Sequence, residues 1–339
     1  MTPDPSPGAA APAPIAMLGL GRMGANMSRR LARAGLAVHG FDASADARAA
    51  LAGEAGVATH DTLAGAIAAL RAPAGADRND RADRGDPGAR GTRDDGPRVA
   101  WLMLPAGEIT DATLAALWPL MRAGDVVVDG GNANYLDSRR RAGDAAARGI
   151  GFVDCGVSGG VWGLANGYCL SMGGRDADVA CLAPYARALA PSPDAGWLHC
   201  GASGAGHFVK MIHNGIEYGM MQSIAEGFAL LEGRQELNLD LAAVAGLWQH
   251  GSVIRSWLLE LTASALAAPG ALGSVAPYVA ESGEGRWTVD EAVRQGTPAP
   301  VIALALMSRF DSQGRADVGN RLLALMRQAF GGHAGRSEG

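Results

Sequence analysis

Ile15-Ala16-Met17-Leu18-Gly19-Leu20-Gly21-Arg22-Met23-Gly24 decides the fold. The four apolar residues read as a buried strand. The G-x-G-x-x-G run follows at once and opens a helical pattern through Ala34, stopped by Gly35. Leu36 to Phe41 reads as a second strand, and Asp42 closes it eighteen residues after Gly24. Strand, glycine run, helix, strand and terminal acid, in that order, make a dinucleotide-binding fingerprint. Gly19, Gly21 and Gly24 permit a tight turn, close approach of a pyrophosphate and helix–strand packing, with Arg22 and Met23 in the same turn. Asp42 can accept hydrogen bonds from the adenosine ribose diol and repels a 2′-phosphate. No Arg follows it within five residues, so NAD is expected rather than NADP. A glycine-rich turn in some other βαβ unit is the structural alternative.

Outward from this stretch the pattern is doubly wound. Val57–Thr59, Val99–Leu104, Val126–Asp129 and Gly151–Val157 read as further strands, with helices over 62–70 and 108–121. Segments 166–174 and 197–201 continue the strands around a helix over 176–189. Ligands in such sheets lie at the carboxyl ends of the strands. Gly19–Gly24, Leu104-Pro105-Ala106-Gly107 and Gly130-Gly131-Asn132 all fall there. Ser158-Gly159-Gly160, small residues after another strand, let a ligand approach the backbone.

From Gly204 onward strand signals stop, and helices are expected over 204–232, 240–249, 253–266, 288–294, 299–308 and 316–330. The expected organisation is an N-terminal α/β Rossmann-type doubly wound domain over 15–203 and an all-α domain over 204–333. Disordered tails at 1–14 and 334–339 complete it. Residues 72–97 are dense in Gly, Pro, Asp and Arg and read as a flexible surface insertion. The helical domain is expected to bury further surface by forming a homo-oligomer, dimer or tetramer.

The chain has 339 residues, 48% of them apolar, and a net charge of −5 without a basic stripe, which argues against nucleic acid. No apolar run is long enough to span a membrane. The N-terminus lacks the basic start of a signal peptide. Cys155, Cys169, Cys181 and Cys200 have neither CxxC nor zinc spacing and read as reduced core thiols of a cytoplasmic protein. No metal site is expected.

Gly206-His207-Phe208-Val209-Lys210-Met211-Ile212-His213-Asn214-Gly215-Ile216-Glu217-Tyr218 opens the longest helical pattern. Lys210, Asn214, Glu217 and Met221 share one face of it, flanked by His213, among apolar positions. Burying such charges is costly unless they are paired. A structural Lys–Glu pair is the plain alternative, although seven residues is two turns, beyond the usual same-helix ion pair.

These residues carry a resemblance. Gly19–Gly24, Asp129-Gly130-Gly131-Asn132, Val157–Gly160 and above all 206–218 resemble 6-phosphogluconate dehydrogenase (decarboxylating) in its shorter, bacterial-type form. The resemblance covers residues 15–333 apart from the insertion. It implies oxidation of C3 of 6-phosphogluconate by a dinucleotide, then loss of CO2 to give ribulose 5-phosphate, without a metal. By resemblance Lys210 is the general base on the C3 hydroxyl and then the acid that polarises the C3 carbonyl. Glu217 protonates C1 of the enediol. That role requires a neutral Lys210 amine at working pH, obtained by burial or neighbouring charge. Asn132, Ser158, Gly159, Gly160, His213 and Asn214 match positions around the sugar acid and nicotinamide. Tyr218 and Arg309 match phosphate-binding positions. Arg327 and His333 match a tail that reaches the substrate of a neighbouring subunit.

The chain departs from longer, NADP-using members at three places. Phe41-Asp42-Ala43 replaces Asn-Arg-Thr, Pro105 replaces a Lys, and Ser282-Gly283-Glu284 replaces Lys-Gly-Thr before Gly285-Arg286-Trp287-Thr288. Two phosphate ligands are thereby absent, and Arg286 is the compensating candidate. The alternatives are another β-hydroxyacid dehydrogenase acting on a different sugar acid or small 3-hydroxy acid, and a catalytically silent dinucleotide-binding protein using 72–97 as an arm.

Overall fold

Strands β1 (Ile15–Leu18), β2 (Val38–Phe41), β3 (Val57–His60), β4 (Val99–Leu102), β5 (Val126–Asp129), β6 (Gly151–Ser158), β7 (Cys169–Gly173) and β8 (Trp197–Gly201) form one sheet in the order β3-β2-β1-β4-β5-β6-β7-β8. The structure, a computed structural model, describes residues 13–70, 96–270, 272–315 and 317–331. The expected N-terminal tail up to residue 12, the expected C-terminal tail, nearly all of the expected insertion, and His333 lie outside the described residues.

β1 to β6 pair in parallel, β6 and β7 antiparallel, β7 and β8 in parallel. Helices lie between the strands: α1 (Arg22–Arg33), α2 (Ala45–Ala49), α3 (Leu63–Ala68), α4 (Glu108–Leu117), α5 (Tyr135–Ala146), α6 (Gly163–Asn166), α7 (Asp176–Cys181) and α8 (Ala183–Leu189). The strands read as unbroken apolar runs because both faces of a parallel sheet are covered. The period of two then divides them between two cores. Ile15, Met17, Trp101, Val126 and Val128 enter one; Ala16, Leu18, Ala100, Leu102 and Val127 enter the other. Chain order reverses between β1 and β4, the switch point at which such sheets open a ligand crevice.

After β8 come only helices among the described residues: α9 (Ala205–Glu232), α10 (Leu241–Leu247), α11 (Trp257–Leu266), α12 (Glu284–Gln295), α13 (Pro300–Ser312) and α14 (Asp317–Gly331). The chain divides into two compact units, Met1–Lys210 and Met211–Gly339, a division that falls inside α9. Among the described residues no helix is long and apolar enough to cross a membrane.

The structure corrects several local expectations. The helix expected over 176–189 is two helices, broken at Leu182 where Pro184 enters the first turn of α8. α11 starts at Trp257, because the Ser256 hydroxyl caps it by accepting from Leu259 N. α12 starts four residues early, at Glu284, after Gly283 in a left-handed conformation. α5 was not anticipated; Asn134 caps it through Leu136 N. The cysteines are free thiols, but only Cys155 is buried and Cys169 is exposed, so they are not uniformly core residues.

Candidate active site

The carboxyl ends of β1, β4, β5 and β6 lie along one edge, because these strands run in parallel. Their following loops carry the sequence-singled residues of the first unit. After β1, Gly19 has φ +96°, and a Cβ there would overlap the Met103 and Leu104 atoms of the neighbouring loop. A Cβ on Gly24 would overlap the Gly19 carbonyl, so Gly19 and Gly24 let α1 begin directly under the turn. Gly21 caps α1 without a side-chain bond, which leaves the first-turn N–H groups suited to an anion. Arg22 is exposed and Met23 half-buried in that turn.

Asp42 is fixed at this loop. Its Oδ2 accepts from Leu20 N at 2.7 Å and its Oδ1 from Ser44 N at 2.8 Å. Each oxygen keeps a second lone pair for a ribose hydroxyl. Arg48 donates to the carbonyls of Asp42 and Ala43 and pairs with Asp61 at 3.2 Å. This arginine is six residues after Asp42, just past the five-residue window inspected in the sequence.

The loops after β4 and β5 touch through backbone. A Cβ on Gly131 would overlap the Leu104 carbonyl, and one on Gly130 the Trp101 indole nitrogen. The Thr110 hydroxyl donates to the Pro105 carbonyl at 2.8 Å and holds Leu104-Pro105-Ala106 in place. Pro105, Ala106 and Asn132 are exposed and Leu104 is half-buried. After β6, Ser158 and Gly159 are half-buried and Gly160 exposed; Gly159 has φ +127°.

α9 starts against β6 and β7. The Asp154 carboxylate, wholly buried, accepts from Gly204 N at 2.6 Å and His207 N at 2.9 Å, capping α9 from another strand. Burial pushes the Asp154 carboxyl up. Attraction to His207 and the two N–H bonds pull the other way without restoring its usual value. Ser171 Oγ donates to the Gly206 carbonyl at 2.8 Å, and His207 Nδ1 lies 2.7 Å from Ser138 Oγ. None of this Asp154 and Ser171 anchoring was read from the sequence, since its partners lie 35 to 53 positions apart.

Lys210 is 9% exposed, and a Cβ on Gly156 would overlap its side chain, so only glycine at 156 admits it to this place against β6. Of the 29 Lys and Arg residues in the chain, Lys210 is the lysine and every other one is arginine. Guanidinium groups do not deprotonate in proteins, so Lys210 is the only basic side chain here that can exchange a proton as an amine.

In the second unit, α9 continues with Asn214 buried, His213 exposed and Glu217 half-buried. His213 Nδ1 lies 3.0 Å from Asn214 Oδ1 and 3.9 Å from Glu217 Oε2, which gives Glu217 a neighbour one turn away. The structure brings Tyr218 and Arg309 together: the Arg309 guanidinium sits 3.5 Å from the Tyr218 ring centroid and donates to the Ala280 carbonyl at 2.8 Å. The Tyr218 hydroxyl accepts from Ser282 N at 3.3 Å. Glu284 is 1% exposed, so its carboxylate is inside the unit rather than on the surface of the 281–284 turn. Arg286 pairs with Glu281 at 2.6 Å. Hydrogen bonding from Arg286 outweighs burial and lowers the Glu281 carboxyl. Arg327 is exposed on α14.

Comparison with known proteins adds independent findings. Residues 14–200 match the family model described as the NAD binding domain of 6-phosphogluconate dehydrogenase, and residues 206–333 that of the 6-phosphogluconate dehydrogenase C-terminal domain. An NAD(+)-dependent, decarboxylating 6-phosphogluconate dehydrogenase of Haloferax volcanii is 42% identical over 321 residues, 94% of this chain and 97% of that one. A decarboxylating 6-phosphogluconate dehydrogenase of Synechococcus elongatus is 39% identical over 231 residues, 65% of this chain and 49% of that one. The solved Plasmodium falciparum 6-phosphogluconate dehydrogenase, studied with NADP+ and with 6-phosphogluconate, superposes with a TM-score of 0.75 at 26% identity. That match covers 94% of this chain and 65% of that one.

Proposed function

Because the chain belongs to the 6-phosphogluconate dehydrogenase family, we propose that it oxidises and decarboxylates 6-phosphogluconate to ribulose 5-phosphate and CO2 with NAD as the preferred oxidant. The observation that carries this reading is Lys210: the chain's one lysine, buried, and set against β6, the strand that ends in Ser158.

The residues divide the work as follows. The β1–α1 turn, Asp42 and Leu104–Ala106 hold the dinucleotide, which when bound accepts the hydride from C3. Lys210 takes the C3 hydroxyl proton as that hydride leaves, and the protonated amine then polarises the new C3 carbonyl. The C1 carboxylate departs as CO2 and its bonding electrons form the enediol. Glu217 protonates the carbon it left. Seven residues on one helix separate Lys210 from Glu217 by about 10 Å of rise, a spacing suited to a base at one carbon and an acid near another. Asn132, Ser158, Gly159, Gly160, His213 and Asn214 orient the sugar acid, and Tyr218 and Arg309 take its phosphate. Asp42, with nearby Arg48 already held by the Asp42 and Ala43 carbonyls and by Asp61, favours a ribose diol over a 2′-phosphate.

Self-association belongs to the same proposal. α14 exposes Val318, Leu322, Leu323, Leu325 and Met326, and Arg327 on that helix, with His333 beyond it, reaches the substrate of a second copy. A second reading, a different 3-hydroxy acid as substrate, is favoured only by Ser282 and Glu284 standing where longer members have Lys and Thr.

The test is spectrophotometric. NADH and NADPH formation are followed with 6-phosphogluconate while CO2 is trapped. Turnover with NAD exceeding that with NADP is expected; no turnover with either sinks the proposal.

A further inference from the structure

Arg141 stands in the middle of α5 and is 1% exposed, an uncommon place for a guanidinium. Its Nη1 donates to Asp129 Oδ2 at 2.8 Å and its Nε to Asp111 Oδ1 at 2.8 Å. Asp129 is the last residue of β5, itself 1% exposed, and Gly130-Gly131-Asn132 follows it directly. Asp111 lies in the first turn of α4, next to Thr110, whose hydroxyl holds the Pro105 carbonyl. One planar fork therefore grips the roots of two loops and sets the angle between them.

The loops have no slack where they meet. Glycines 130 and 131 bring backbone against Trp101, Met103 and Leu104, with no side chain between to absorb a displacement. A shift of either root reaches Asn132 and Leu104–Ala106 together.

We infer that Arg141 is a positioning residue for hydride transfer, fixing the loop after β4 against the loop after β5. The inference rests on the reading above, which puts the first loop on the cofactor and the second on the sugar acid. A buried ion pair kept only for stability is weak design, since apolar replacement commonly does as well. It also needs no second carboxylate from a different helix. Burial opposes ionisation of Asp111, but hydrogen bonds from Arg141 and Arg140 outweigh it and hold its carboxyl below the usual range. Asp111 therefore stays ionised through neutral pH.

Arg141→Lys keeps a cation beside Asp129 but loses the fork. Asp111→Asn leaves the Arg141–Asp129 pair intact and changes a side chain that is 41% exposed. The full chain is assayed with NAD and with 6-phosphogluconate carrying hydrogen or deuterium at C3. Folded variants are expected to bind NAD within about threefold of wild type yet lose roughly 10- to 100-fold in kcat, as a misplacement of about 1 Å does. The deuterium isotope effect on kcat rises, because hydride transfer becomes more fully rate-limiting. An unchanged kcat and isotope effect in a folded variant overturns the inference. So does a loss that follows only the folded fraction with the isotope effect unmoved. If Arg141→Lys does not fold, Asp111→Asn decides alone. Wild-type protein that does not turn over 6-phosphogluconate breaks the underlying reading instead, and is recognised as such before any variant is made.

Discussion

In the unit Met1–Lys210, strands β1, β4 and β5 bury nearly every side chain in one of two cores. In Met211–Gly339, helices α13 and α14 leave Val301, Leu304, Met307, Leu322, Leu323 and Leu325 open to solvent. α9 and α11, with Leu241 and Leu272, also line an apolar cavity of about 640 Å³. Large contiguous apolar surfaces on a folded chain mark surfaces meant to be covered. Among the described residues, more large apolar side chains are exposed in the helical unit than in the sheet unit. The residues singled out in each unit differ likewise. Gly19, Gly24, Gly130 and Gly131 sit in turns of the sheet unit tied by the Asp42 and Asp129 carboxylates, whereas Arg286 and Arg327 of the helical unit are exposed.

The strongest way to test this contrast is Lys210→Met, which should cost at least ~10²-fold in turnover and leave the thermal transition close to wild type. Retained rate would place the base elsewhere. Truncation after Phe330 acts on the helical unit. It should raise KM for 6-phosphogluconate about tenfold, the worth of one lost charge-assisted contact, with KM for NAD unmoved. An unchanged KM for the sugar acid would remove His333 from the site and leave α14 only a packing role. Asp42→Ala should lower the ratio of NAD to NADP efficiency several-fold; a constant ratio would show that Asp42 does not read the ribose.

The smallest effect belongs to Asp154→Asn, read by melting temperature against pH. The Asp154 carboxyl is raised in the folded state, above its ordinary value of 3.8. The native chain therefore holds this proton more tightly than the unfolded one. Its contribution to stability is full below about pH 3.8 and falls as pH rises through the folded value. Asn does not titrate, so the stability gap between wild type and variant should narrow by a few degrees from acid to neutral pH. A gap that widens would contradict the raised carboxyl.

What the sequence made legible follows from distance along the chain. The β1–glycine–α1–β2–Asp42 succession is local, and its periodicities and turn residues suffice to read it. The shared face of α9 is local too, which is why Lys210, Asn214 and Glu217 stood out together. Asp154 capping α9 and Arg141 gripping Asp111 are pairings across 30 to 53 residues, and nothing in a hydrophobic period encodes a partner so far away. The antiparallel placement of β7 is likewise a tertiary choice, invisible in Cys169–Gly173 alone. The early start of α12 was missed for a different reason. Gly283 lay outside the helix expected over 288–294, yet it has a left-handed φ of +92° directly before the helix that begins at Glu284.

A chain that meets every other need for positive charge with arginine has a practical consequence. Apart from the amino terminus, a reagent directed at primary amines has one side chain to find. Reductive methylation with a ¹³C label would therefore give a single side-chain resonance, and its chemical shift across pH would report the protonation of Lys210 directly, without mutation. The amine proposed as the general base is thus also the side chain whose titration can be followed with no second lysine signal.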